Sequence, residues 1–225
     1  RDLAAGEISG AVEHYRHRGA VTNGADAFDA LVETYAMDEA ASGPDITRLA
    51  FAHRRQDVHA LNQAIRAAIR PPDGAPEVLL ETETGKRAFA AGDRIVFGKN
   101  DRALGVKNGM LGTVKDVHES RMVVELDGEP PTTRIFDPRR YRSFDHGYAV
   151  TIHKSQGATV DRAYVLASRS MDRHLAYVAM TRHRDEMRLF VRPEDRPDWA
   201  RNLHRTRERH GLDRTHPTRS GPSMG

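Results

Sequence analysis

The sequence predicts an α/β fold: a parallel sheet flanked by helices, with a small antiparallel β-barrel insert. Three observations lead there. The apolar run Leu49–Ala52 is followed by Val58, Leu61, Ile65 and Ile69 on one helical face, the strand, loop and helix order of a covered parallel sheet. Beyond Pro71-Pro72-Asp73-Gly74-Ala75-Pro76 the pattern changes to short alternating runs punctuated by turn residues, as antiparallel strands require. After Pro138-Arg-Arg-Tyr141 the α/β style returns.

Taken in order, Leu3 to Tyr15 predicts a helix closed by His17-Arg18-Gly19. Asp26 is placed as the N-cap of a second helix, whose apolar positions Phe28, Leu31, Val32 and Tyr35 share a face and which ends near Ser42-Gly43-Pro44. Residues 78–81, 94–97, 112–117, 121–126 and 132–136 read as strands separated by turns such as Asn108-Gly109 and Asp127-Gly128. His146 to Ser155 is ambiguous between strand and helix, and a short helix stopped by Gly157 is the favoured reading. Ala163–Ala167 is a buried strand, Arg173–Met180 a helix and Met187–Val191 a further strand. The expected organisation is a helical lead-in with the first part of the α/β unit over 1–75, the barrel insert over 76–145, the rest of the α/β unit over 146–192, and a basic tail over 193–225 with a short helix at Trp199.

With 38% hydrophobic residues in 225, the chain can bury a core. Lys and Arg exceed Asp and Glu only by 35 to 32, but the pI of 9.3 and 12 histidines, many beside arginines, suit basic faces that meet phosphates. The absence of cysteine excludes disulfides and cysteine-held zinc and fits a reducing, cytoplasmic setting. No apolar run approaches the roughly 20 residues of a membrane span. The start, Arg1-Asp2-Leu3-Ala4, has neither initiator methionine nor signal pattern, so the chain reads as a piece of something longer.

The densest chemistry lies in Thr151-Ile-His-Lys-Ser-Gln-Gly157. Its hydroxyl, imidazole and ammonium groups can donate to phosphate oxygens, and its glycine permits close backbone approach. Ser155 as a nucleophile with His153 as base is disfavoured: residues two apart rarely converge, no GxSxG-like turn surrounds Ser155, and no orienting carboxylate is near in sequence. Arg54 and Arg55 follow a strand end, where a phosphate contact is useful, but also fit an ordinary exposed helix start. Asn100 and Asn108 sit in turn-rich stretches that suit either hairpin chemistry or amide contacts to a nucleic-acid strand. Arg182, after the apolar run Leu175–Met180, is by itself either a surface residue or a charge aimed at a phosphoryl group.

Together these segments, in order and spacing, resemble the second RecA-like half of superfamily one DNA helicases of the RecD-like branch, which moves 5′ to 3′ on single-stranded DNA. Leu49–Asn62 looks like motif IV. Gly92-Asp-Arg-Ile-Val96 with Asn100 and Val106-Lys-Asn-Gly109 looks like the segment leading into the barrel insert. Tyr148–Gly157 looks like motif V and Tyr177–Arg182 like motif VI. Through Ser170–Asp185 the chain is similar to the helicase part of TraA-type conjugative relaxases, and the resemblance spans about residues 1 to 192.

The resemblance implies that Thr151 and His153 hold DNA phosphates with Lys154 and Ser155 beside that track. It implies that Gln156 and Gly157 face the nucleotide, that Arg182 is the arginine finger, and that Arg55 is a second γ-phosphate contact. Where some relatives have a glutamate near the nucleotide, this chain has Thr159. There is no G-x-x-x-x-G-K-[ST] loop and no Asp-Glu pair on an apolar strand. ATP and Mg²⁺ would therefore be held mostly by an upstream RecA-like domain of the same polypeptide. Single-stranded DNA and the conjugation machinery are the other implied partners, in the bacterial cytoplasm. The reading from a different class is a non-catalytic nucleic-acid or partner-binding module with decayed motor motifs.

Overall fold

A computed structural model describes residues 20–42, 46–69, 76–155, 159–171, 175, 178–179 and 181–195. The first predicted helix, Gln156, Gly157 and the tail around Trp199 lie outside the described residues.

Five strands, β1 (Val21–Asn23), β2 (Arg48–Ala52), β10 (Ala149–Thr151), β11 (Val160–Leu166) and β12 (His183–Val191), form one sheet in the order β1-β12-β11-β2-β10. Every pairing in it is parallel. All residues of β2 are buried, as a strand covered on both faces must be. Its side chains alternate: Leu49 and Phe51 join the core on one face, Ala50 and Ala52 the core on the other. The second face is covered by α1 (Ala27–Ser42) through Leu31 and Tyr35 and by α2 (Arg55–Ile69) through Leu61 and Ile65. The first face receives Met171, Leu175, Val178 and Ala179, the last three on helical backbone.

Seven more strands interrupt this unit. β3 (Val78–Thr82) and β4 (Gly85–Phe89) form a hairpin. β5 (Arg94–Phe97), β6 (Leu111–His118), β7 (Arg121–Leu126), β8 (Thr132–Phe136) and β9 (Phe144–His146) form an antiparallel sheet in the order β8-β7-β6-β5-β9. Hairpin and sheet share one core, where Phe89 meets the rings of Phe144 and His146. The ladder is open between β8 and β9 among the described residues, so the strands enclose a common core without a closed ring of hydrogen bonds.

Most predicted strands appear within a residue or two of their expected limits. Three details differ. Residues 146–155 are not one helix: β9 ends at His146, β10 follows, and a 3-10 turn occupies Ile152–Ser155. Pairing of Ala149, Val150 and Thr151 with Ala50, Phe51 and Ala52 overrides the local helical tendency. β4 and β1 were not anticipated, because Gly85-Lys-Arg-Ala-Phe89 and Val21-Thr-Asn23 carry little apolar pattern and become strands through their partners. Finally, β12 starts at His183 and so includes Asp185 and Glu186, the latter paired with Arg188 at 2.7 Å.

Candidate functional site

Parallel strands give the sheet two chemically distinct edges. Register places Ala52, Thr151, Leu166 and Phe190 at one level, the carboxyl edge, and Val160 and His183 at the other. The six steps from Val160 to Leu166 separate these levels by about 20 Å at ~3.3 Å per residue.

At the carboxyl edge, the residues just past β2 and β10 come together. The rings of His53 and His153 lie edge to face with centroids 5.8 Å apart. His53 Nδ1 is 2.7 Å from Ser170 Oγ, which is 3.2 Å from Ser168 Oγ. Arg54 Nε donates to Asp57 at 2.7 Å, and Arg192 donates to the other oxygen of the same carboxylate at 2.8 Å. Asp57 is thereby neutralised, while Arg55 is exposed and pairs with no carboxylate among the described residues. Arg55 and Thr151 line a cavity of about 520 Å³ between α2 and the antiparallel unit, with His59, Arg87, Asp145 and His146 also on its wall.

His146 Nε2 lies 3.0 Å from the Ala88 carbonyl, a geometry in which the ring N–H donates. Burial is the main reason that its pKa falls below the ordinary 6.5, which keeps the ring neutral.

The amino edge is built from ion pairs. The carboxylate of Asp161 accepts from the Thr47 amide at 2.8 Å and hydroxyl at 2.7 Å and lies 3.5 Å from Arg184. Burial would raise its pKa, but these donors outweigh burial and hold it below the usual 3.8. Arg182 stands at this edge: its carbonyl accepts from Val160 N at 2.9 Å, and its half-buried guanidinium has Nε without a hydrogen-bond partner among the described residues.

The expected site residues therefore divide. Thr151, His153 and Arg55 share the carboxyl edge, and Lys154 and Ser155 belong to the 3-10 turn that leaves it. Arg182 lies at the opposite edge, so strand order puts Arg55 and Arg182 at opposite ends of the sheet. The cause is topological: Arg55 follows the end of β2, whereas Arg182 precedes the start of β12. Asn100 and Asn108 meet each other, the Asn100 side-chain oxygen accepting from the Asn108 amide at 2.8 Å, and Gly109 follows with φ +88°. That is the hairpin role of these residues. His53 was missed as a site residue; its place directly after a buried strand was the available signal.

Residues 152–159 connect Thr151 at the carboxyl edge to Val160 at the amino edge. Ser155 and Thr159 are the described residues that flank Gln156 and Gly157. Among the described residues no group of three or more His, Asp or Glu could hold a metal ion, and no helix is long and apolar enough to cross a membrane.

The model of the viral superfamily 1 RNA helicase core domain matches residues 107–191. Over 193 residues the chain is 46% identical to the probable conjugal transfer protein TraA of Sinorhizobium fredii, covering 84% of this chain and 17% of that protein. The chain carries a superfamily one helicase domain. It is 44% identical over 194 residues to the conjugal transfer protein TraA of Rhizobium radiobacter, again 84% of this chain and 17% of the relative. It is 30% identical over 132 residues to the ATP-dependent RecD2 DNA helicase of Deinococcus radiodurans, covering 56% and 17%. This helicase domain thus spans about a sixth of the length of these curated relatives. A Bacteroides Pif1 helicase, solved in complex with ADP-AlF3 and ssDNA, superposes with a TM-score of 0.54 over 82% of this chain and 50% of that chain, at 19% identity. That likeness makes the parallel sheet of the helicase domain RecA-like.

Proposed function

We propose that this chain is the second motor domain of an ATP-dependent DNA helicase that moves 5′ to 3′, within a conjugative relaxase of the bacterial cytoplasm. The observation that carries this reading is that Thr151 ends β10 at the carboxyl edge while Val160 opens β11 at the amino edge. At the carboxyl edge Thr151 and His153 grip phosphates of single-stranded DNA, with Lys154 and Ser155 alongside. Arg55 joins this track rather than the nucleotide, because it is exposed beside Thr151. At the amino edge Arg182 acts as the arginine finger, with Gln156 and Gly157 facing the nucleotide. The unpartnered Nε of Arg182 supports that role, since a buried donor without an acceptor fits a group completed by a substrate oxygen.

ATP, the substrate, is held mainly by an upstream RecA-like domain, and closure of the two domains brings Arg182 to the γ-phosphate. An arginine so placed stabilises charge that develops in the transition state. Mg²⁺ would be held mostly by that upstream domain, since this chain has no Asp-Glu pair on an apolar strand. The solved Pif1 relative, bound to ADP-AlF3 and ssDNA, supports both ligands for this architecture. Coupling arises when DNA and nucleotide each favour one arrangement of this domain against the upstream one.

DNA-stimulated ATPase of the full-length protein tests the reading against an Arg182→Ala variant. A large loss of turnover is expected; equal rates would remove the arginine finger, and absence of hydrolysis in the full-length protein would leave a non-catalytic binding module. The isolated chain is expected to hydrolyse no ATP.

A further inference from the structure

β10, the strand that leads to Thr151, is the last strand of its sheet and has a ladder on one side only. Side chains hold its other side. Asn62 of α2 accepts through Oδ1 from the Tyr148 and Ala149 amides at 2.9 and 3.0 Å and donates to the Ala149 carbonyl at 2.9 Å. Tyr148, just before β10, donates its hydroxyl to Asp93 Oδ1 at 2.8 Å.

Asp93 belongs to the antiparallel unit and immediately precedes β5. It is 1% exposed and also accepts from Arg66 Nε at 3.1 Å, Arg66 Nη2 at 2.9 Å and the Ala90 amide at 2.8 Å. Its backbone carbonyl accepts from Val114 in β6 at 2.8 Å. A second joint lies alongside, where Gly147 N donates to the Arg94 carbonyl at 2.8 Å. A Cβ on Gly147 would fall 2.5 Å from the Ile95 carbonyl carbon, so the two chains touch here without slack.

We infer that Asp93 and Tyr148 are positioning residues that transmit the placement of the antiparallel unit to the DNA-gripping end of β10. A movement of that unit relative to α2 draws Asp93 with it, and Tyr148 passes the shift to a strand whose Thr151 lies about 10 Å further on at ~3.3 Å per residue. Buried polar networks suit such a role because they have discrete satisfied arrangements. Burial alone would raise the Asp93 pKa, but Arg66, the Ala90 amide and Tyr148 hold it below the ordinary value, so the node stays anionic.

The inference rests on the DNA track proposed above. Tyr148→Phe removes one hydroxyl and keeps the buried ring and the Arg66–Asp93 pair. In the full-length protein, with a dT20 oligonucleotide, the half-saturating DNA concentration for ATPase stimulation is expected to rise at least fivefold while turnover at saturating DNA changes less than twofold. Tyr148→Phe and Asp93→Asn are expected to be non-additive in that concentration, as partners in one network are. A lowered melting temperature with unchanged half-saturation in Tyr148→Phe would make the node a structural pin and overturn the inference. His153→Ala, measured in parallel, separates the failures. If it weakens DNA response and Tyr148→Phe does not, positioning is wrong; if His153→Ala also has no effect, the DNA track itself is wrong and the inference falls with it.

Discussion

The carboxyl and amino edges of the RecA-like sheet are formed by the same strands, yet they present opposite kinds of surface. At the carboxyl edge the buried acid Asp57 is neutralised by two arginines, and exposed Arg55 and His153 stand near Thr151. At the amino half, Asp161 and Asp38 hold Arg184, Arg162 and Arg188 in ion pairs, and Arg182, bonded through its carbonyl to Val160, has an unpartnered Nε among the described residues. An open row of donors matches an extended polyanion, whose binding is dominated by phosphate contacts. A single arginine in a braced frame matches one developing charge. The difference is the ground on which the proposed function divides these residues by edge, with Arg55 beside the DNA.

The largest expected effect tests the amino edge. Arg182→Ala in the full-length protein should lower ATP turnover by about 10³-fold while the affinity for single-stranded DNA, read by anisotropy, changes less than about twofold, since neutral distant sites behave independently. A drop confined to DNA affinity would merge the two edges. Next, His153→Ala should weaken DNA binding by roughly tenfold, the loss of one charge-assisted contact of about 1.4 kcal/mol, with DNA-independent ATP affinity intact.

Arg55→Ala sharpens the comparison because it chooses between edges. It should weaken DNA binding several-fold and reduce the slope of log affinity against log salt by about one, the loss of a single phosphate contact. A loss of turnover without change in salt slope would return Arg55 to the nucleotide.

The smallest effect concerns the junction between the sheets. His146 is neutral in the fold because burial depresses its pKa, whereas the unfolded chain protonates near 6.5. Its contribution to stability is therefore complete above pH 6.5 and is lost as the pH falls toward the lower folded value. The melting temperature should decline over that window and decline less in His146→Gln.

Elements with strong periodicity were legible in the sequence. β2, α1 and α2 carry apolar residues at the spacing of their buried faces, and β7 and β8 alternate between turns. β4 was not legible, because only Phe89 of Gly85–Phe89 reaches the core and the rest is strand through pairing with β3. β10 was misread for the same reason, since its state depends on β2, nearly a hundred residues earlier. The proposed site was half legible. Residue chemistry singled out Thr151, His153 and Arg182 as candidates, but the edge on which each arginine stands follows from strand order and direction, which local pattern does not encode.

Under the proposed function, DNA lies along the carboxyl edge and the nucleotide meets the amino edge. Photocrosslinking of an oligonucleotide carrying 5-iododeoxyuridine to the full-length protein, with the adducts mapped by peptide mass, reads this directly. Adducts in peptides containing residues 53–55 and 151–153, and none in peptides containing 159–162 or 182–184, are the predicted result. Adducts concentrated around Arg182 would contradict it.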